Sequence, residues 1–373
     1  MATNLIWLTR AAGLWVFLIW WLPLAAHADK LDDNLQTVWE SLWDERGTPR
    51  NLLRWDKPLT YTITGHEVDR HREHIQKAMR DAAQATQLQI TEIVTPAETG
   101  GGALLTFEIV KNDGLPDTMP CTTYPQWTNW ALTKVVVKMQ SKGAWRCTFH
   151  EVMHAMGILG HPSGKTVLSY FAFQRDEFLP LDQLLLKAWY DPHLKKGSTP
   201  LEALVSLSDA VAKQADLGVP AEVASERVRL FNLAAVEQVK ALAMGTGEVP
   251  TIVKRSGRAS TQFMDAARPL TAYFVAQAYL RGTIVARDAA AASGWFKLSA
   301  QNGYSAGQVM WARALIKGEG VDIDRSAAHG WLALAAKSNN SVARTELLAL
   351  EKTMTPEQLE AAQAAPAPTL TPP

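Results

Sequence analysis

Two histidines and a glutamate set the chemistry open to this chain. In the run HEVMHAMGILGH, from His150 to His161, His150 and His154 stand four residues apart and Glu151 follows the first. On a helix that spacing puts both imidazoles on one face, one turn apart, so their nitrogens reach a single ion. Glu151 lies beside the pair, near a bound water, without itself ligating. Zinc held in this way lowers the pKa of its water to about 7, and Glu151 would take the proton as the water attacks a polarised carbonyl. A bare HExxH also arises by chance on surface helices, so its surroundings decide whether it is a site.

A third ligand has more than one source. His161 follows the pair closely, while Asp176 and Glu177 in FQRDEFLP are acidic groups further on, and two histidines with a carboxylate are a known zinc set. Cys147, three residues before His150, lies within a helical turn of the site. Its competing use is a disulfide with Cys121, the other cysteine of the chain, and an oxidising compartment favours the bridge. In the chain-entropy account such a bridge contributes roughly 3 kcal/mol.

That compartment is read from residues 1–28, expected to be a signal peptide. A short n-region ends at Arg10, an apolar stretch follows, and Ala26-His27-Ala28 offers a small-residue cleavage site, so the mature chain would begin near Asp29. The apolar run is short for a membrane span and contains Pro23, so no stable insertion is expected after cleavage. The alternative is an uncleaved anchor. Either way the chain should be periplasmic or secreted. Lys plus Arg number 37 and Asp plus Glu number 37, which excludes nucleic acid as an expected partner. With 373 residues, 47% of them apolar, two or three packed units are expected.

Several elements must hold the motif in place. LTYTITG, from Leu59, alternates like a strand, and VDRHREHIQKAMRDAAQA reads as an amphipathic helix burying Ile75, Met79 and Ala82. LQITEIV, ALLTFEIV and TKVVVKMQ are three further β-rich runs, with CTTYPQWTNW read as a loop that Cys121 opens. The motif helix should stop at Gly157, where a left-handed C-terminal turn is open to glycine. Helices follow up to Tyr190 and again from Pro200, with a linker expected in KRSGRAS. His66, His71 and His74 are expected on a solvated surface, His193 in a turn, and His329 in a helix. Gly160 is expected to absorb one extra loop residue through its conformational freedom.

The extended string resembles the metzincin signature HExxHxxGxxH. His150, Glu151, His154 and Gly157 match it position by position; the third histidine, due at Gly160, comes one residue late as His161. TVLSYF is similar to the metzincin Met-turn, with Leu168 in place of Met, a swap that keeps an apolar floor. This resemblance implies an α+β zincin-like catalytic domain, a twisted mixed sheet plus active-site helix. It also implies Tyr170 as a metal-side or oxyanion group, against an aromatic that simply fills the turn. LPLDQLLLKAWYDPHLKKG further resembles an exported bacterial metzincin-like family, over residues 55–205.

Beyond Pro269 the chain repeats itself. Trp295 and Trp331, Gly282 and Gly318, Ala276 and Ala312, and Gly303 and Asn339 pair at a spacing of 36. The pattern resembles the Sel-one-like repeat, a relative of the tetratricopeptide repeat, which implies an all-α domain of paired helices that binds a protein. Signal and repeat types together suggest a Gram-negative bacterium. The expected order is signal peptide 1–28, zinc peptidase domain 29–205, helical connector 206–265, repeats 266–345, then a terminal helix and disordered Pro-rich tail, 346–373. The expected activity is hydrolysis of a peptide or protein substrate, with Zn2+ on His150, His154 and His161, Glu151 as general base and Tyr170 assisting. The alternative is a catalytically inactive zincin-like scaffold that acts through its repeats.

Overall fold

The computed structural model describes residues 21–94, 102–116, 118–169, 176–214, 217–255, 257 and 261–371. Residues 1–20 of the expected signal peptide, Tyr170 and part of the expected linker lie outside them. The chain combines a small mixed sheet with many helices, the later ones in repeated pairs.

Helix α1, Trp21–Ser41, places Leu31, Leu35, Val38, Trp39 and Leu42 in one buried stripe, the 3.6-residue period of an amphipathic helix. It packs on the helices α5, Pro200–Ala212, and α6, Ala221–Ala243, and the Trp39 indole donates to Gln238 at 2.8 Å. Among the described residues no helix is long and apolar enough to cross a membrane.

The sheet holds β1 (Leu59–Gly65), β2 (Ile90–Glu92), β3 (Leu105–Val110), β4 (Cys121–Thr128) and β5 (Ala131–Gln140) in the order β2-β1-β3-β5-β4. The first three pairings are parallel and β4 runs antiparallel to β5 at the edge. Helix α2, Val68–Thr86, backs the sheet through Ile75, Ala78, Met79 and Ala82.

The stretch expected as a loop is therefore the edge strand β4. Its Thr and Tyr residues suit a pleated ribbon, and Pro125 is tolerated because an edge strand need not donate on both sides. Asn129 and Trp130, both at positive φ (49° and 64°), close the β4–β5 hairpin as a two-residue turn whose twist matches the strands.

Helix α3, Ala144–Ala155, carries HEVMH; α4, Pro180–Trp189, follows it. One continuous core runs from Leu31 through the sheet, α3 to α6, and as far as Ala278. The short α7, Thr251–Arg255, leads to α8, Thr261–Arg281, where a second core begins at Ala276. That core joins α8, α9 (Ala289–Gln301), α10 (Ser305–Lys317), α11 (Arg325–Lys337) and α12 (Ser341–Glu351).

The spacing of 36 is structural. Asp288 caps α9 by accepting from Ala291 N–H at 2.9 Å, and Asp324 caps α11 from Ala327 N–H at 2.8 Å. Gly282 and Gly318 stand at φ 68° and 71°, the left-handed turn that ends each first helix.

Two expectations need correction here. The Pro-rich tail that follows α13, Pro356–Ala364, lies back across the repeats: Thr371 N–H donates to the Gln301 carbonyl at 2.9 Å, and Pro368 sits where a Cβ on Gly330 would be 3.3 Å away. Proline's fixed φ favours an extended strand, and Gly330 leaves room for it. His71 is not solvated, and His74 is only half-exposed. His71 is 3% exposed and meets Ser141 Oγ at 3.1 Å, and His74 reaches the Trp145 carbonyl at 3.0 Å while packing edge-on to Phe149. The α2 stripe turns both toward α3, against the sign of their charged neighbours. His66 is exposed, His193 sits exposed beside Asp191, and His329 lies in α11 bonded to Glu351 at 3.0 Å.

Candidate metal centre

Three imidazoles meet at one point. The Nε2 atoms of His150, His154 and His161 are 3.0, 3.1 and 3.2 Å apart, and they form a group of residues able to hold a metal ion. Tetrahedral nitrogens about 2.05 Å from one zinc ion would be about 3.3 Å apart, close to this triangle.

The opposite ring nitrogens face acceptors. His150 Nδ1 lies 2.8 Å from the Val167 carbonyl, His154 Nδ1 lies 2.7 Å from the Ile158 carbonyl, and His161 Nδ1 lies 3.3 Å from Glu45 Oε1. A carbonyl only accepts, so Nδ1 carries the proton in His150 and His154, and their Nε2 lone pairs point inward. Lone pairs crowded this closely repel unless a cation lies among them, so the donor set fits a metal.

Burial, then the neighbouring imidazoles, push His154 down to about 3 and His161 well below the usual histidine range. Neutral imidazole is the ligating form.

Helix α3 is anchored at its C-terminal end by distant residues. The last carbonyls of a helix lack partners within it. Here the Trp55 indole donates to the Ala155 carbonyl at 2.9 Å, and the Tyr190 hydroxyl donates to the Met156 carbonyl at 2.9 Å. Gly157, at φ 97°, turns the chain out of the helix as expected, and a Cβ there would overlap the Leu53 carbonyl.

Gly160 has a different role from the one expected. It sits against the end of α1, where a Cβ would come 2.5 Å from the Ser41 carbonyl oxygen and 2.6 Å from that of Glu40. Space, not conformational freedom, selects glycine there.

The turn behind His150 is pinned by Asp182 of α4. Its buried carboxylate accepts from the Thr166 hydroxyl, from Val167 N–H at 3.1 Å and from Leu179 N–H at 2.8 Å. Burial raises Asp182 to about 6 against these bonds. Leu168 is fully buried in the core, the apolar position expected of it. Tyr170 lies outside the described residues.

Glu151 is 4% exposed, and its Oε2 accepts from Thr123 Oγ1 on β4 at 2.6 Å. Burial pushes its carboxyl above the ordinary range, opposed by His150 and the Thr123 hydroxyl. Cys121, at the start of β4, is disulfide-bonded to Cys147 in α3 with 6.5 Å between Cα atoms, so Cys147 is no ligand. The bridge and the Thr123 bond both tie the edge strand to the motif helix. Asp176 and Glu177 are exposed and stand outside the imidazole group, whose third member is His161. Sequence reasoning missed Thr123, Glu45, Glu40, Trp55 and Tyr190. Of the pinning residues only Asp182 carried a local signal, an acid in the first turn after Pro180.

No protein-family model matches the chain, and no curated protein matches it. Among solved structures it is similar to a Sel1 repeat protein from Oxalobacter formigenes, with 21% identity and a TM-score of 0.22, over 45% of this chain and 55% of that one. It is also similar to a protective antigen present in uropathogenic Escherichia coli strains that displays an SLR fold, with 18% identity and a TM-score of 0.26, over 58% and 51%. The chain spans about half the length of these structures. At such scores they assign neither fold nor activity to it.

Proposed function

We propose that the chain is an exported zinc-dependent peptidase of metzincin-like fold, with C-terminal Sel-one-like helical repeats that bind a protein partner. The observation that carries this reading is the triangle of Nε2 atoms, 3.0 to 3.2 Å on a side, formed by residues that flank the buried Glu151 in sequence. The mixed sheet, whose antiparallel edge strand reaches Glu151 through Thr123, supports it. The disulfide supports an oxidising compartment, periplasmic or extracellular.

His150, His154 and His161 would hold the ion. Zinc bound there would supply Lewis acidity and a water acidified to near neutrality. Glu151 acts as the general base. Thr123 holds its Oε2, which leaves Oε1 to accept the proton of the attacking water, and burial keeps the carboxyl basic enough to pass that proton to the departing amine. Tyr170 keeps its place in the proposal as a group that steadies the oxyanion.

Zinc content and hydrolysis of a quenched fluorogenic peptide library test this together. Wild type and Glu151→Gln should each carry one zinc per chain, while the variant hydrolyses at least about 100-fold more slowly. Equal rates would remove Glu151 from the chemistry.

A second reading has its own support: a scaffold without catalysis, acting through the 36-residue array. The late His161 and the Leu168 substitution favour it. A folded chain that takes up no zinc yet captures a partner through residues 266–345 would decide for the scaffold.

A further inference from the structure

His161 is the ligand that departs from the signature, and no helix carries it. It sits in irregular chain between Gly157 and Ser169, braced by residues near the start of the described chain rather than by α3. Glu40, 3% exposed at the end of α1, accepts from both the N–H and the hydroxyl of Ser163 at 2.7 Å. Gly160 lies against the Glu40 and Ser41 carbonyls, and a Cβ on Gly164 would overlap the Thr37 side chain. Beyond α1 the Asp44 carboxylate accepts from Arg46 N–H at 3.0 Å and Thr48 N–H at 2.9 Å, which fixes the turn that carries Glu45. That turn presents Glu45 Oε1 to His161 Nδ1 at 3.3 Å, with side-chain exposures of 19% and 13%.

The three ligands are thus oriented unequally. Main-chain carbonyls serve His150 and His154, while a half-buried carboxylate faces His161. The distance is within ion-pair reach and just outside the usual hydrogen-bond range. Charge sums point the same way. Three neutral imidazoles leave a divalent ion uncompensated, and the ionised carboxylates of Glu151 and Glu45 would together balance it.

We propose that Glu45 is the positioning residue that makes His161 a metal ligand in this chain. Its carboxylate receives the Nδ1–H, fixes the tautomer that aims Nε2 at the other two imidazoles, and compensates for the residue inserted at Gly160. A carboxylate behind a ligating imidazole also raises the basicity of that ligand. The inference rests on the metal-centre reading and deepens it: the segment from Thr37 to Glu45 becomes part of the centre.

The full chain, stripped of metal with a chelator, is titrated with Co2+ by visible absorption and with Zn2+ against a chromophoric chelator. Glu45→Gln and Glu45→Ala should bind roughly 10- to 100-fold more weakly than wild type and shift the cobalt d–d bands. Glu108→Gln, on the central strand β3 beside Lys138, should bind as wild type does. Long-range proton–nitrogen spectra of the metal-free chain give a readout that a purely structural role would not move. Wild-type His161 should be the Nδ1–H tautomer, and the Glu45 variants should populate the other one. If wild type binds tightly and both Glu45 variants bind equally well with His161 unchanged, Glu45 has no such role while the metal centre stands. If wild type takes up neither ion, the metal centre itself is refuted and the inference with it.

Discussion

The repeat array and the imidazole centre reach precise geometry by opposite routes. In the array the helix caps are local: Asp288 and Asp324 cap helices three residues downstream, and α9 and α11 repeat one pattern 36 residues apart. At the centre the constraints span the chain. Trp55 reaches Ala155 across 100 residues, Glu40 reaches Ser163 across 123, and Tyr190 closes on Met156. Local constraints add nearly independently, as in a chain of neighbouring units. Long-range ones that share a loop act together, so the centre should respond to damage as a single unit while the array should not.

The largest expected effect comes from removing a ligand. His154→Ala should lower zinc from one ion per chain to none. Hydrogen exchange should then quicken through α3 and residues 157–169, because His154 joins that helix to that loop through His161 and the Ile158 carbonyl. Protection of α9 to α11 should not change. Equal loss of protection in both regions would erase the contrast between them.

Acid should separate the regions next. His154 sits at about 3 in the fold against 6.5 unfolded, so between those values the unfolded chain binds a proton that the native site refuses. Stability of the metal-free sheet domain is therefore complete above about pH 6.5 and is lost as pH falls toward 3. At pH 5 the loss from this imidazole is about 2 kcal/mol. His161 shifts in the same direction and adds to it. Urea midpoints measured at pH 7.5 and pH 5 give the difference, and a midpoint that rises on acidification would contradict the buried neutral imidazoles.

Tyr190→Phe should cost about 1 to 3 kcal/mol by urea denaturation, since the Met156 carbonyl and the Trp55 N–H lose a buried partner at once. It should also weaken zinc binding, because Gly157 and the His161 loop begin where that carbonyl ends α3. A stability loss with metal affinity intact would show that α3 keeps its ligands without this cap.

These routes also explain what the sequence made legible. The HEVMH helix, its stop at Gly157, the disulfide partners and the 36-residue register are all written within a few residues of themselves, or in the only two cysteines. The strand character of CTTYPQWTNW was hidden because Pro125 and the Asn129-Trp130 turn read locally as loop; only its place at the sheet edge makes them compatible with pairing. The burial of His71 and half-burial of His74 are hidden for a related reason: charged neighbours describe the opposite face of α2, and only Ser141 and α3 reveal what lies against them. Glu45 and Glu40 carry no motif at all. Their relevance comes from a loop more than 100 residues away, and a single sequence has no local pattern for that.

The smallest effect tests the array side of the contrast. Asp324→Ala removes one N-cap, which accepts from Ala327 at 2.8 Å, and should cost about 1 kcal/mol. Asp288→Ala removes the equivalent cap at 2.9 Å and should cost the same. Because the two caps lie on different helices and share no partner, the double variant should show the sum of the single losses. Zinc affinity should be unaffected in all three, since the cap bonds that are lost run only to Ala291 and Ala327 within the array. A double variant that falls well short of the sum, or one that loosens zinc, would mean that the array and the centre are coupled through α8, the helix that contributes to both cores. Additive losses with zinc binding unchanged would instead fix the array as a set of independently capped units carried beside the imidazole centre.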